Sequence, residues 1–126
     1  MTKGGHRFTR LAKGLHRKRG QMNRTEAKYA DDLEARKLAG EIADWWFEPG
    51  SLRLSHPDEG QPARYSPDFL VLENDGTTVW EEVKGFADKA AIVRIKCAAE
   101  QFPLWRFRLV KPRRKRDGGG WDKVEV

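Results

Sequence analysis

Two runs of strand-forming residues meet at one tight turn, and this constrains the chain more than any other feature. Pro67–Glu73 contains Phe69, Leu70, Val71 and Leu72, and Thr78–Lys84 contains Val79, Trp80 and Val83. Such side chains favour a pleated, partly buried backbone. Between the runs stands Asn74-Asp75-Gly76, a combination that accepts the positive φ of a hairpin turn. The spacing predicts an antiparallel hairpin centred on Asp75. A lone hairpin is marginal in water, so this one must belong to a larger sheet covered by other parts of the chain.

The sequence offers that cover on both sides. Asn23 followed by Glu26 has the form of a capping pair, so a helix is expected from about Arg24, ending at Gly40. Ala30, Leu33 and Leu38 mark its apolar face. Asp44–Glu48 holds Trp45, Trp46 and Phe47 and reads as a well-covered strand, closed by Pro49-Gly50. Leu52 and Leu54 alternate in a short strand, and 56–63 reads as a loop. After the hairpin, Gly85 ends the strand. Asp88 then caps a helix to Gln101 with Ile92, Ile95, Ala99 and Phe102 inward, and Pro103 stops it. Leu104–Val110 is a last strand. The order helix, strand, strand, strand, helix, strand predicts an α/β sandwich on a central mixed sheet. No internal repeat is visible.

Charge is distributed unevenly around this core. Of a net +6, residues 1–20 contribute seven Lys/Arg and no acid, and Lys111–Arg116 holds five basic residues in six positions. Residues 21–110 carry twelve Lys/Arg against sixteen Asp/Glu. A polyanion would therefore meet the flanks first, with a salt-sensitive affinity. In the first arm (1–20), Phe8, Leu11, Ala12 and Leu15 recur at helical spacing among Arg7, Arg10, Lys13, Arg17, Lys18 and Arg19. This short basic amphipathic segment suits a phosphate backbone, an anionic membrane or a partner subunit; its two-turn apolar face makes the membrane the weakest option. The stretch 111–126, with Lys111, Arg113, Arg114, Lys115 and Arg116 ahead of Gly118, Gly119 and Gly120, reads as a flexible basic tail. One cysteine, Cys97, excludes an internal disulfide or a thiolate zinc cluster. No apolar run could span a bilayer and no secretory signal is recognisable, so a soluble cytoplasmic protein is expected.

The chemistry converges on the hairpin. A register centred on Asp75 sets Asp68 near Glu82, and two neighbouring carboxylates repel unless a cation lies between them. Glu82 and Lys84 leave one face of their strand about 7 Å apart. Hard oxygen donors favour Mg²⁺, and an ammonium group beside such an ion can neutralise a phosphate or orient a water. Glu26 lies on the buried face of its helix, four residues before Ala30, and serves either as cap partner or as a third acid. His6, His16 and His56 are too scattered to form a histidine-based site.

Pro67-Asp68, a 13-residue gap, then Glu82-Val83-Lys84 resembles the signature of the PD-(D/E)XK nuclease superfamily, which includes type II restriction enzymes and archaeal Holliday junction resolvases. The order of elements resembles its core. Asn23–Ala30, Ser66–Leu72, Glu82–Phe86 and Ile95–Pro103 further resemble a small phage and prophage family carried as a domain of unknown function. The resemblance spans roughly residues 20–110, and Tyr65-Ser66 replaces the Tyr-Thr common before the motif. It implies a restriction-endonuclease-like fold and a nuclease core at 21–110. Asp68, Glu82 and the Val83 carbonyl would hold Mg²⁺, with Mn²⁺ able to substitute; Glu26 would join directly or through water, and Lys84 would orient or activate the attacking water. Lys96, on the second helix, stands where relatives often place a basic or amide residue facing the site; the alternative is that it snorkels off the core. The implied activity is endonucleolytic hydrolysis of DNA, structure-selective on branched substrates and leaving 5′-phosphates, by a homodimer in the cytoplasm of a bacterial host. A nuclease of nicking, flap or restriction-like specificity and a non-catalytic DNA-binding protein are the alternatives.

Overall fold

The structure, a computed structural model, describes residues 21–56, 60–84 and 88–126. Helix α1 (Arg24–Leu38) starts with the expected capping box. The Asn23 side chain accepts from the Glu26 N–H at 2.8 Å, and Glu26 Oε1 accepts from the Asn23 N–H at 3.0 Å. Strand β1 (Asp44–Phe47) follows, then two short strands, β2 (Leu52–Arg53) and β3 (Arg64–Tyr65). The hairpin is β4 (Phe69–Leu72) and β5 (Thr78–Val83). Helix α2 (Lys89–Gln101) is capped by the Asp88 carboxylate, which accepts from Ala90 and Ala91. Strands β6 (Arg106–Pro112) and β7 (Trp121–Glu125) complete the chain.

The molecule is an α/β protein with a five-stranded mixed sheet in the order β1-β4-β5-β6-β7. The hairpin register is the one the turn dictates: Phe69 faces Glu81 and Leu72 faces Thr78, centred on Asp75. β1 lies antiparallel to β4, and β6 lies parallel to β5 after the passage through α2. The expected second short strand exists, but it pairs with β3 in a separate two-stranded sheet, because each has only two residues to pair.

Alternation along the strands divides the core in two. On one face Tyr29, Ala30 and Leu33 of α1 pack against Trp45, Phe47, Phe69, Val71, Val79, Val83 and Val110. The Tyr29 ring meets Phe69 edge-on at 5.4 Å. On the other face Ile95 and Ala98 of α2 pack with Phe107, Leu52 and Tyr65. Burying each such large side chain contributes roughly 1.5–3 kcal/mol.

The C-terminal segment departs from the flexible tail expected for 111–126. β6 continues through Lys111 to Pro112, a short 3₁₀ turn forms at Lys115–Asp117, and β7 returns antiparallel along β6. The glycines serve the turn rather than a loose tail: Gly118, Gly119 and Gly120 all hold positive φ. Trp121 then packs edge-on to Tyr29 at 4.9 Å, and Glu125 receives Arg108 Nε at 2.9 Å and Arg106 Nη2 at 3.1 Å. The basic run masks this strand in the sequence, because the apolar signal after it amounts to Trp121 and Val124. The N-terminal arm with Arg7, Arg10, Lys13, Arg17, Lys18 and Arg19 lies outside the described residues, as do Gly85 and Phe86 after β5. Among the described residues no helix is long and apolar enough to cross a membrane.

Candidate functional site

Pro67 and Asp68 precede β4, and the ladder explains what that arrangement does. Glu73 donates its N–H to the Thr77 carbonyl, so odd-numbered residues of this hairpin form the hydrogen-bonded pairs. Even-numbered residues then form the non-hydrogen-bonded pairs, whose side chains approach more closely. One step beyond the Phe69–Glu81 pair, Asp68 stands across from Glu82 in such an arrangement, and Pro67 across from Val83. Proline has no N–H. The Val83 carbonyl therefore has no ladder donor at this end, while the Val83 N–H bonds Asp68 Oδ2 at 2.8 Å. Glu48, at the end of β1 with φ +46°, donates its N–H to the Asp68 carbonyl at 2.8 Å and fixes the backbone from the other side.

Two carboxylates are thus buried together, Asp68 with 6% and Glu82 with 3% of their surface exposed. Burial, and then the Glu82 charge, push Asp68 up to about 8, against the Val83 hydrogen bond. Glu82 is also raised, again chiefly by burial, although Tyr65, Lys84 and Arg94 oppose the shift. Lys84 Nζ lies 3.3 Å from Glu82 Oε2 and 4.0 Å from Asp88 Oδ2. Burial works to lower the Lys84 pKa, but Glu82 and Asp68 outweigh it and hold the ammonium charged.

Tyr65 completes the site. Its hydroxyl donates to Glu82 Oε1 at 2.8 Å, and burial followed by the Glu82 charge drives its pKa far up. In the sequence Tyr65 stands out only as the residue before Ser66. Nothing in composition or spacing ties a tyrosine on a two-residue strand to an acid 17 positions later; only the folding of β2 and β3 onto α2 does so.

Two expected members stand differently. Glu26 is engaged in the capping box, and α1 covers the face of the sheet opposite to Asp68 and Glu82. Its charge still raises Asp68, as the weaker of the two carboxylate neighbours. Among the described residues no three His, Cys, Asp or Glu side chains are gathered closely enough to cage a metal ion. The expected three-acid cluster is therefore corrected to a carboxylate pair. Lys96 is exposed on α2; the helix cation whose charge reaches the site is Arg94, which acts on both Tyr65 and Glu82. The inward residues Ala91, Ile95 and Ala98 set that facing, with Arg94 one residue before Ile95.

The donor set fits a hard divalent cation. Mg²⁺ is usually held by one or two carboxylates with waters and substrate oxygens rather than by a closed protein cage. Asp68, Glu82 and the Val83 carbonyl are of that kind, and the repulsion within the pair is what such a charge relieves.

A second acid, Glu81, sits directly beside Glu82 but outside the motif. It points to the α1 face, fully buried, where it accepts from the Tyr29 hydroxyl and from Arg108 Nη1, the latter at 2.9 Å. Glu81 is thereby satisfied by partners of its own, which leaves Glu82 as the acid of the site.

The strand directions bring the positive charge to the same place. The ends of β5 and β6, the start of β4 and the turn into β7 all lie at one end of the sheet. Lys111, Arg113, Arg114, Lys115 and Arg116 surround that turn, exposed, with Arg113 Nε 3.2 Å from Asp122.

Residues 18–115 match the family described as Protein of unknown function (DUF1064). A search of curated proteins finds no match.

Proposed function

We propose that this chain, which belongs to the DUF1064 family, is a Mg²⁺-dependent endodeoxyribonuclease of the PD-(D/E)XK type, acting on branched DNA during phage or prophage DNA processing. The observation that carries the proposal is the buried Asp68–Glu82 pair at a strand end, with Lys84 Nζ 3.3 Å from Glu82. The topology supports it: a helix, three antiparallel strands, a helix and a parallel strand follow the order of that superfamily's core. β7 and the small β2–β3 sheet are additions to it.

Asp68, Glu82 and the Val83 carbonyl are the groups that would hold the ion. When bound, Mg²⁺ supplies Lewis acidity to a phosphate oxygen and makes a water more acidic. The chain's own residues do the rest. Lys84 holds the attacking water and neutralises charge on the phosphate. Arg94 and the turn Arg113–Arg116 hold the phosphodiester backbone, together with the basic arm. The water oxygen bonds to phosphorus as the P–O3′ bond breaks, leaving a 5′-phosphate and a 3′-hydroxyl. A two-fold dimer would place two such cuts symmetrically on a junction.

The test is incubation with Mg²⁺ and linear, nicked, flapped, forked and four-way DNA, alongside Asp68→Asn. Cleavage of a branched substrate by the parent and none by the variant is expected. Equal cleavage by both would remove the metal assignment, and binding without cleavage by the parent would favour a non-catalytic DNA-binding protein.

A further inference from the structure

We infer that Tyr65 is a positioning residue for Glu82, and that the β2–β3 hairpin serves to carry its hydroxyl into the site. The inference rests on the nuclease reading above and deepens it. Tyr65 is 3% exposed, and its hydroxyl donates to Glu82 Oε1 at 2.8 Å while Lys84 Nζ takes the other oxygen at 3.3 Å. A carboxylate only accepts, so the hydroxyl proton must lie between the two oxygens. The Glu82 carboxylate is thus fixed at both oxygens, and each oxygen keeps a further lone pair for an ion. An untethered glutamate would have to give up its side-chain freedom when it took a cation; here that ordering is already complete.

The hairpin's construction points the same way. Strands of two residues cannot be stable alone. Leu52 and Tyr65 are held instead by Ile95 and Ala98 of α2 and Phe107 of β6. Tyr65 therefore links Glu82 to α2 and to β6 on the same face of the sheet. The ring belongs to the core, whereas the hydroxyl hydrogen-bonds the acid, so the two roles can be separated by removing one oxygen atom.

The experiment compares Tyr65→Phe, Leu52→Ala and Asp68→Asn with the parent. It measures Mn²⁺ binding by calorimetry and electron paramagnetic resonance, cleavage over a Mn²⁺ titration, metal-free DNA binding and thermal melting. Tyr65→Phe should weaken Mn²⁺ binding about 10–100-fold, as loss of an outer-shell partner typically does. Its cleavage should recover at high Mn²⁺, and its metal-free DNA affinity should match the parent. Leu52→Ala, which loosens the same hairpin without touching the hydroxyl, should lower the melting temperature and leave the Mn²⁺ midpoint in place. Coincident Mn²⁺ isotherms for Tyr65→Phe and the parent would overturn the inference. So would a midpoint moved as far by Leu52→Ala. If Asp68→Asn binds Mn²⁺ and cleaves like the parent, the nuclease reading itself fails; if only Tyr65→Phe behaves like the parent, that reading stands and the role of Tyr65 falls.

Discussion

Replacing Asp68 with asparagine should stabilise the metal-free protein in alkaline solution and destabilise it in acid. The folded chain moves this carboxyl from an ordinary value near 3.8 up to about 8, through burial and then the charge of Glu82. A carboxyl raised in the folded state stays protonated where the unfolded chain has already released its proton. Its contribution to stability is therefore intact below about pH 3.8 and falls as pH rises to about 8, beyond which it is constant. The shift spans about four units at roughly 1.4 kcal/mol each, so the penalty in alkaline solution is at most about 6 kcal/mol. Asparagine keeps an oxygen for the Val83 N–H and abolishes the penalty, but it buries an amide without a matched acceptor, at a cost of about 1–3 kcal/mol. The variant should thus gain about 3–5 kcal/mol at pH 8.5 and lose about 1–3 kcal/mol at pH 4.

Thermal melts at both pH values, without divalent ions, measure the difference. For a chain of this size 1 kcal/mol corresponds to roughly 4 °C, so the variant should melt about 12–20 °C above the parent at pH 8.5 and several degrees below it at pH 4. Adding Mg²⁺ at pH 8.5 should raise the parent toward the variant and leave the variant unchanged, because only the parent has repulsion for the ion to relieve. Comparing the two proteins cancels the other titrating carboxylates. A melting difference of the same sign and size at both pH values would refute the reasoning.

Three further outcomes follow from the same geometry. Lys84→Met should reduce cleavage at least about 100-fold while leaving Mn²⁺ binding equal or tighter, since it removes a cation beside Glu82; calorimetry beside a cleavage assay separates the two. Neutralising Arg113, Arg114, Lys115 and Arg116 together should lower DNA affinity and flatten the plot of log affinity against log salt by roughly 0.9 for each phosphate no longer neutralised, as read from binding at several salt concentrations. Glu81→Ala should destabilise the fold by about 3–5 kcal/mol in chemical denaturation, because it strips the partly buried Arg108 of its fully buried carboxylate partner and the buried Tyr29 hydroxyl of its acceptor.

How much of this is legible in the sequence depends on how local each feature is. The hairpin register, both helix starts and the Asp68–Glu82 juxtaposition rest on turn chemistry, caps and alternation, all encoded within a few residues, and the structure has them where the sequence puts them. What escapes sequence reasoning rests on contacts between distant segments. β7 is hidden because its pairing depends on Trp121 reaching Tyr29 and on Glu125 reaching Arg106 and Arg108, while its own sequence is mostly polar. Periodicity puts Glu26 on the correct helix face, but not against the correct face of the sheet, since it cannot say which side of a sheet a helix covers. Tyr65 and Arg94 are missed for a related reason: each acts on Glu82 from an element whose packing is fixed by Ile95, Ala98 and Phe107, far along the chain.

The same distinction indicates where the chemistry resides. Pro67 withholds a ladder N–H, so the strand pairing stops one residue before the acids, and a carbonyl and two buried carboxylates are left together at one end of the sheet. A site meant only for stability would gain by closing that gap, since burying two like charges costs more than an apolar pair of similar size. The chain instead surrounds the gap with compensations that are each partial: one ammonium, one hydroxyl, one backbone N–H and a distant guanidinium. Together they leave Asp68 still protonated near neutrality, which is the condition of a pair that lacks one more positive charge. That residual deficit, rather than the short motif, is the physical reason to expect a divalent cation there.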